Sequence, residues 1–318
     1  MKNSVFVNSA RLDFDNKLDF TLFSKLTRFT KYAISSNAEI LERVQDQNIV
    51  ITKEIPVGRE LIAQFPASVQ LICEAGTGYN NIDIAAAREK NIAVCNVPSY
   101  STDAVAQLVI TFILNLSSSL IQQQIMLQKK NYDNFTKYLQ VPHFELANKT
   151  LGVIGAGAIG RQVIKIALTL GMKILVHTRT PKQWDNVNIK SVSLEELLKQ
   201  SDFITLHCPL TAGTKHLINQ DRLKLVKPSA YIINTSRGAI INETDLIAAL
   251  QNGKLAGAAL DVQDPEPPEI SSPLFALDNV ILTPHIGWRR LETRQRLIKL
   301  TAENIAAFIQ EKSINVVN

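Results

Sequence analysis

Cysteine, tryptophan and methionine are scarce in this chain, with three, two and three residues among 318. Cys73, Cys95 and Cys208 are odd in number and widely spaced, and no C-x-x-C occurs. That excludes a disulfide framework and a zinc site, so free thiols and no metal are expected. Reduced thiols suit a cytoplasmic protein. Long apolar runs are missing as well. The longest, 108–116, is interrupted by Thr111 and Asn115 and falls far short of the roughly 18 residues of a membrane-spanning helix. Acidic residues enter the N-terminal stretch before the apolar region of a signal peptide develops, so neither secretion nor a membrane partner is expected. The charge balance, 34 basic against 29 acidic residues, contains no Lys/Arg run longer than two. That argues against a nucleic-acid partner and suits a small anionic ligand.

What is present reads as a globular α/β chain. Apolar residues make up 46% and charged residues 20%, which excludes disorder and fibrous repeats. At roughly 100–200 residues per domain, the length suggests two domains. Apolar β-type runs at 5–7, 48–51, 71–73 and 92–95 alternate with helical patterns such as 37–45 and 83–90. This alternation predicts a parallel sheet covered by helices. Residues 101–125 read as one long helix, with cap candidates Ser101, Thr102 and Asp103 and an apolar stripe of Val105, Leu108, Val109, Phe112 and Leu116. The stretch 129–149 reads as a linker or irregular loop. A second series has strands at 151–154, 173–177, 203–207, 231–234, 258–261 and 280–283, with helical patterns at 159–170, 193–200, 220–226 and 243–252. It predicts a second doubly wound sheet. A further amphipathic helix is expected at 289–310.

The second series opens on Gly155-Ala-Gly157-Ala158-Ile159-Gly160. Alone, G-x-G-x-x-G is a weak signal. Here it follows a β-type run and starts a helix, the context of a dinucleotide site. Gly155 permits the tight turn, Gly157 lets a pyrophosphate approach the main chain, and Gly160 lets helix and strand pack. Amides of the helix start, at Ala158 and Ile159, then face the phosphates. After the next strand, the acid that would accept from a ribose 2′-hydroxyl is missing, and Thr178 is followed by Arg179. A hydroxyl and a guanidinium suit a 2′-phosphate, so NADP(H) is favoured over NAD(H). The competing reading makes Arg179 a solvated surface charge.

Three polar residues follow strand-like runs of the second series: Arg237, Glu266 and His285. Loops at the carboxyl ends of such strands are where open α/β sheets bind ligands. Singly, each is more often a salt bridge or a cap than a catalyst. Together they match the needs of 2-oxo-acid reduction. A cation polarises the carbonyl or holds the carboxylate, an acid protonates the oxygen, and a carboxylate fixes the imidazole.

The stretches 155–160, Asn234-Thr235-Ser-Arg237-Gly, Asp261-Val-Gln-Asp-Pro-Glu266-Pro and Thr283-Pro-His285-Ile-Gly resemble the D-isomer-specific 2-hydroxyacid dehydrogenase family. Gly76-Thr77-Gly78-Tyr-Asn-Asn-Ile-Asp83 and Tyr100-Ser-Thr-Asp-Ala-Val-Ala-Gln107 resemble its substrate loop and first crossover helix. Within the family, the latter segment and Trp288 most resemble glycerate dehydrogenases, also called hydroxypyruvate or glyoxylate reductases. The resemblance implies a Rossmann cofactor domain, residues 99–286, inserted into a flavodoxin-like substrate domain, residues 1–98 with 287–318. It implies a homodimer, and a small 2-oxo or 2-hydroxy acid as substrate in a cleft that closes between the domains. By position, Arg237 binds the substrate, Glu266 pairs with His285, and His285 donates the proton. Backbone at Gly76, Thr77 and Gly78 holds the substrate carboxylate. Cys208 and Pro209 border the adenosine, Thr235 lies along the cofactor, and Asp261 lies near the nicotinamide amide. Trp288 either shapes the substrate pocket or packs at the domain junction.

Four positions depart from common family residues: Thr178, Gln107, Gln263 and Ser236. None removes a catalytic group. Other specificities, lactate-, branched-chain- or phosphoglycerate-type, stay open, although the last helix leaves little length for the regulatory domain the phosphoglycerate type often carries. So does a dinucleotide-sensing interaction protein on the same fold.

Overall fold

Five short strands, β1 (Asn3–Phe6), β2 (Arg28–Lys31), β3 (Ile49–Thr52), β4 (Leu71–Glu74) and β5 (Ala93–Cys95), form an all-parallel sheet in the order β2-β1-β3-β4-β5. This computed structural model describes residues 1–180 and 182–318. Strands β3 and β4 are buried at every position, as parallel strands covered on both faces must be, and that is why they read as apolar runs up to their last residues, Thr52 and Glu74. Their alternate residues feed two cores. Ile49, Ile51, Leu71 and Cys73 face one, and Val50 and Ile72 the other. Strand β2 escaped the sequence reading because it is an edge strand, RFTK, with no buried residue. Cys73 and Cys95 are register partners on β4 and β5, both free and buried.

This sheet belongs to a compact unit made of Met1–Ser101 and Trp288–Asn318. The returning segment is anchored by the helix Leu291–Ile309. Its Arg294, 2% exposed, makes a two-pronged bond to Asp15 at 2.8 and 2.7 Å and donates to the Leu12 carbonyl. The Arg296 guanidinium donates to the Tyr100 carbonyl at 2.7 Å. That bond ties Tyr100 to this unit, which runs to Ser101 and resumes at Trp288.

The second unit, Thr102–Gly287, holds seven parallel strands. They are β6 (Thr150–Ile154), β7 (Lys173–His177), β8 (Ile189–Ser191), β9 (Phe203–Leu206), β10 (Tyr231–Asn234), β11 (Gly257–Leu260) and β12 (Val280–Leu282). Their order is β12-β11-β10-β9-β6-β7-β8. The chain builds outward from β6 through β7 to β8, then crosses to β9 on the other side. The carboxyl ends of β6 and β9 therefore flank a topological switch point, where open sheets of this kind bind ligands. Val153 and Ile154 point into opposite cores, so helices cover both faces. Edge strand β8, with only half-buried and exposed residues, was missed as β2 was.

The long helix expected at 101–125 is instead two, Thr102–Ser118 and Leu120–Gln128, bent by 56°. Three consecutive serines cause the break. Serine side chains compete for helix backbone groups, and Ser117 Oγ donates to the Leu114 carbonyl. The Phe144 amide takes the Ser117 carbonyl, Asn115 Oδ1 accepts from the Ile121 amide, and Ser119 turns left-handed at φ 48°. The stretch 129–149 is irregular apart from the short helix Asp133–Thr136. Among the described residues no single helix is long and apolar enough to cross a membrane.

Candidate active site

At the carboxyl end of β6 the glycine turn has the geometry its spacing predicts. Gly155 sits at φ +96°, and a Cβ there would stand 2.7 Å from the His207 carbonyl carbon and 2.8 Å from the Cys208 nitrogen. A Cβ on Gly160 would meet the Gly155 oxygen at 2.1 Å. These two glycines are required by close packing. Gly157 is different, because nothing lies within 4 Å of where its Cβ would be. It is the N-cap of helix Ala158–Thr169 and no side chain caps that end. The first helix amides, at Ala158, Ile159 and Gly160, have no partner within the helix. An open glycine before an uncapped helix start fits a pyrophosphate.

Residues around this turn extend the fit. Thr235, just after β10, carries a buried hydroxyl with no hydrogen-bond partner among the described residues. Half-buried Cys208 and exposed Pro209 follow β9 beside Gly155. Burial pushes the pKa of His207 down to about 3, so its ring, bonded to Thr205 Oγ1 at 3.0 Å, is neutral. At the end of β7, Thr178 Oγ1 donates to the Thr180 carbonyl at 2.6 Å, while Arg179 is exposed and pairs with no acid among the described residues. A nicotinamide dinucleotide would be held by 155–160, by Thr235 and by the Thr178–Arg179 corner.

The polar residues of the second unit come together on the loops after β10, β11 and β12. His285 Nδ1 lies 2.9 Å from Glu266 Oε2, and the other carboxylate oxygen accepts from the Gln263 amide at 3.0 Å. Burial pushes the Glu266 pKa up, but the hydrogen bond and charge of His285, the Gln263 amide and the charge of Arg237 outweigh it and leave it lowered. The carboxylate is therefore ionised and fixes the Nδ1 side of the ring. His285 Nε2 is left for chemistry, with the side chain 23% exposed.

Two buried side chains, Asp261 and Asn234, build the platform beneath this pair. Asp261, 1% exposed, accepts from Thr283 Oγ1 at 2.6 Å and from the Ile286 and Gly287 amides at 2.8 and 2.9 Å. Its carbonyl accepts the His285 amide at 2.9 Å. These bonds hold His285 at φ +52°, a conformation that costs a side-chain-bearing residue roughly 1–2 kcal/mol. Asp261 is thus engaged with the turn that carries His285. Burial raises its pKa, partly offset by those same bonds. Asn234 accepts from the Ser236 amide and donates to the Arg237 carbonyl, which shapes the turn presenting Arg237. Gly238 presses on the Gln263 carbonyl, where a Cβ would stand 2.0 Å from the oxygen, so the Arg237 and Glu266 loops are locked together.

In the first unit, β4 runs into Gly76, Thr77 and Gly78. Thr77 Oγ1 donates to the Val97 carbonyl, the Asn96 amide group donates to the Thr77 carbonyl, and the Val97 amide donates to the Gly76 carbonyl. The turn is tethered through its side chain and carbonyls, while among the described residues its three amides donate to nothing in the protein. Successive free amides form an anion-binding concavity. Beneath it lies a cluster that sequence reading passed over. Lys53, 1% exposed, bonds Glu54 at 2.5 Å and stands 3.9 Å over the Trp288 ring. Glu74 is fully buried and accepts from the Glu54 amide, Thr52 Oγ1 and Asn81 Nδ2. The available signal was a lysine separated by one residue, Thr52, from the apolar run 49–51 of a fully buried parallel strand.

Residues 110–287 match the model of the D-isomer specific 2-hydroxyacid dehydrogenase, NAD binding domain. A hydroxypyruvate reductase of Blautia hydrogenotrophica is 36% identical over 294 residues, covering 91% of each chain. A glyoxylate reductase of Thermococcus litoralis is 38% identical, covering 88% of this chain and 86% of its own. The crystal structure of the TT0316 protein of Thermus thermophilus superposes with a TM-score of 0.87 at 31% identity, covering 99% of this chain and all of that one. Sheet topology, glycine turn, the His285–Glu266 pair and these relatives converge, and the chain belongs to the D-isomer specific 2-hydroxyacid dehydrogenase family.

Proposed function

We propose that this protein reduces small 2-oxo acids, glyoxylate and hydroxypyruvate foremost, to D-2-hydroxy acids, using NADP(H) in preference to NAD(H). The observation that carries the reading is the 2.9 Å His285–Glu266 pair, held on a left-handed turn beside Arg237. A nicotinamide dinucleotide held by 155–160 and Thr235 would supply the hydride for the keto carbon. His285 donates its Nε2 proton to the carbonyl oxygen as negative charge develops there, and ionised Glu266 stabilises the charged ring beforehand. Arg237 polarises the carbonyl and pairs with the carboxylate. The amides of Gly76, Thr77 and Gly78 take the remaining carboxylate oxygen, and glycine lets it reach the main chain.

The cofactor preference rests on Thr178 and Arg179 and on the missing acid at that corner. Exposed Leu120, Ile121, Leu127, Phe135 and Tyr138 supply an apolar surface suited to the homodimer included in this reading, which sedimentation tests.

The deciding experiment follows the absorbance of reduced nicotinamide with glyoxylate, hydroxypyruvate and pyruvate, each with NADPH and NADH. Turnover of the first two acids, faster with NADPH, is expected. Turnover with NADH alone would contradict the cofactor assignment and keep the activity. No turnover in any combination, with dinucleotide still bound, would contradict the activity itself.

A further inference from the structure

The indole N–H of Trp288 is a buried donor without a partner. The residue is 4% exposed, and among the described residues nothing accepts from Nε1. Burying an N–H without an acceptor costs free energy, so its persistence calls for a purpose. The Lys53 ammonium lies over the same ring, 3.9 Å from its centre. An ammonium carries three donors, of which Glu54 takes one. That ammonium is also 3.3 Å from the point where a side chain on Gly76 would begin. One corner of the first unit therefore gathers an ammonium, an unsatisfied N–H and a carboxylate against the turn with the free amides. Trp288 lies only three residues beyond His285 in the chain.

Charge decides which ligand group belongs there. Lys53 is countered by Glu54 in contact and by the buried Glu74, whose Oε1 lies 3.1 Å from the same point on Gly76, while Glu54 also faces Arg11 at 3.8 Å. Two cations thus meet two carboxylates, and the corner lacks the surplus positive charge that a second anion such as a phosphate would need. A neutral hydroxyl fits, because it can accept from Lys53 and Trp288 and donate to Glu54. We propose that Lys53 and Trp288 form the subsite for a hydroxyl on the third carbon of the substrate, and so select hydroxylated 2-oxo acids over their methyl analogues. This rests on the reading of the 76–78 turn as the carboxylate site.

The test compares kcat/KM for hydroxypyruvate and pyruvate in wild type, Lys53→Met and Trp288→Phe. Methionine keeps a long apolar stem over the indole, and phenylalanine keeps a ring under the ammonium while deleting only the N–H. A pocket built to hydrogen-bond a hydroxyl discriminates against analogues lacking it, so each variant should lower the hydroxypyruvate-to-pyruvate ratio by about tenfold or more. The loss should lie mainly in KM for hydroxypyruvate. A ratio unchanged in a folded variant, or equal losses on both acids, overturns the subsite and leaves the reductase reading standing. If Lys53→Met does not fold, with Glu74 left uncompensated, Trp288→Phe alone decides. Wild-type enzyme that reduces neither acid overturns the parent reading and the subsite together.

Discussion

The role proposed for His285 needs one ring nitrogen fixed and the other free, and three separate interactions provide for this. Glu266 binds Nδ1, Asp261 shapes the turn that presents the ring, and the Gln263 amide steadies Glu266. Because the Glu266 pKa is lowered, its carboxylate stays charged through the neutral range, and the stability it contributes is lost only as pH falls through that lowered value. Replacing Glu266 with Gln removes the carboxylate that fixes Nδ1 and should lower kcat for reduction by about tenfold or more, and an unchanged kcat would sink the pairing role. His207 provides the control. Burial holds its pKa near 3, so its ring stays neutral and His207→Asn should leave the pH profile where it is. Of these residues, Arg237, Glu266 and His285 were legible because each follows a recognisable strand. The left-handed turn and the Asp261 bonds were not, because they arise from loops that only folding brings together.

At the scale of elements, the glycines separate fold from function. Gly238 and Gly157 are both loop glycines after strands, yet a Cβ on the first would stand 2.0 Å from a carbonyl oxygen and one on the second would meet nothing. Gly238→Ala should force the Arg237 and Glu266 loops apart and destabilise the protein by about 2–4 kcal/mol, read as a loss of several degrees in Tm. Gly157→Ala should leave Tm nearly unchanged and weaken dinucleotide binding by about tenfold or more, since the added methyl stands where pyrophosphate approaches. Equal Tm values for both variants would contradict this division. Element by element, buried strands such as β3, β4, β9 and β10 were plain in the sequence, because burial on both faces demands continuous apolar runs. Edge strands β2 and β8 carry no such demand and left no pattern. The break at Ser119 escaped because an apolar stripe runs through it, and the partners that end the helix, Phe144 and Asn115, act through tertiary contacts.

For the whole molecule, ligand linkage gives the cofactor assignment a thermodynamic readout. A dinucleotide that binds only the folded chain adds about 2.7 kcal/mol of stability at a free concentration 100 times its Kd. At equal concentrations NADPH should raise Tm more than NADH, and Arg179→Ala should remove the difference by lowering the NADPH shift alone. Equal shifts in the wild type would refute the 2′-phosphate role of Arg179. Two parallel sheets and their order in the chain were legible from the alternation of elements, whereas the strand order within each was not. The identity of the 2-oxo acid was not, because it depends on side chains such as Lys53 and Trp288 that motifs do not place.

The central claim is that His285 delivers the proton in a 2-oxo-acid reduction. It is tested most directly by single-turnover reduction of hydroxypyruvate by wild type and His285→Gln, with dinucleotide affinity measured in parallel. The account predicts a rate lower by about 100-fold or more, with dinucleotide affinity unchanged. A variant that reduces the substrate at the wild-type rate would contradict it.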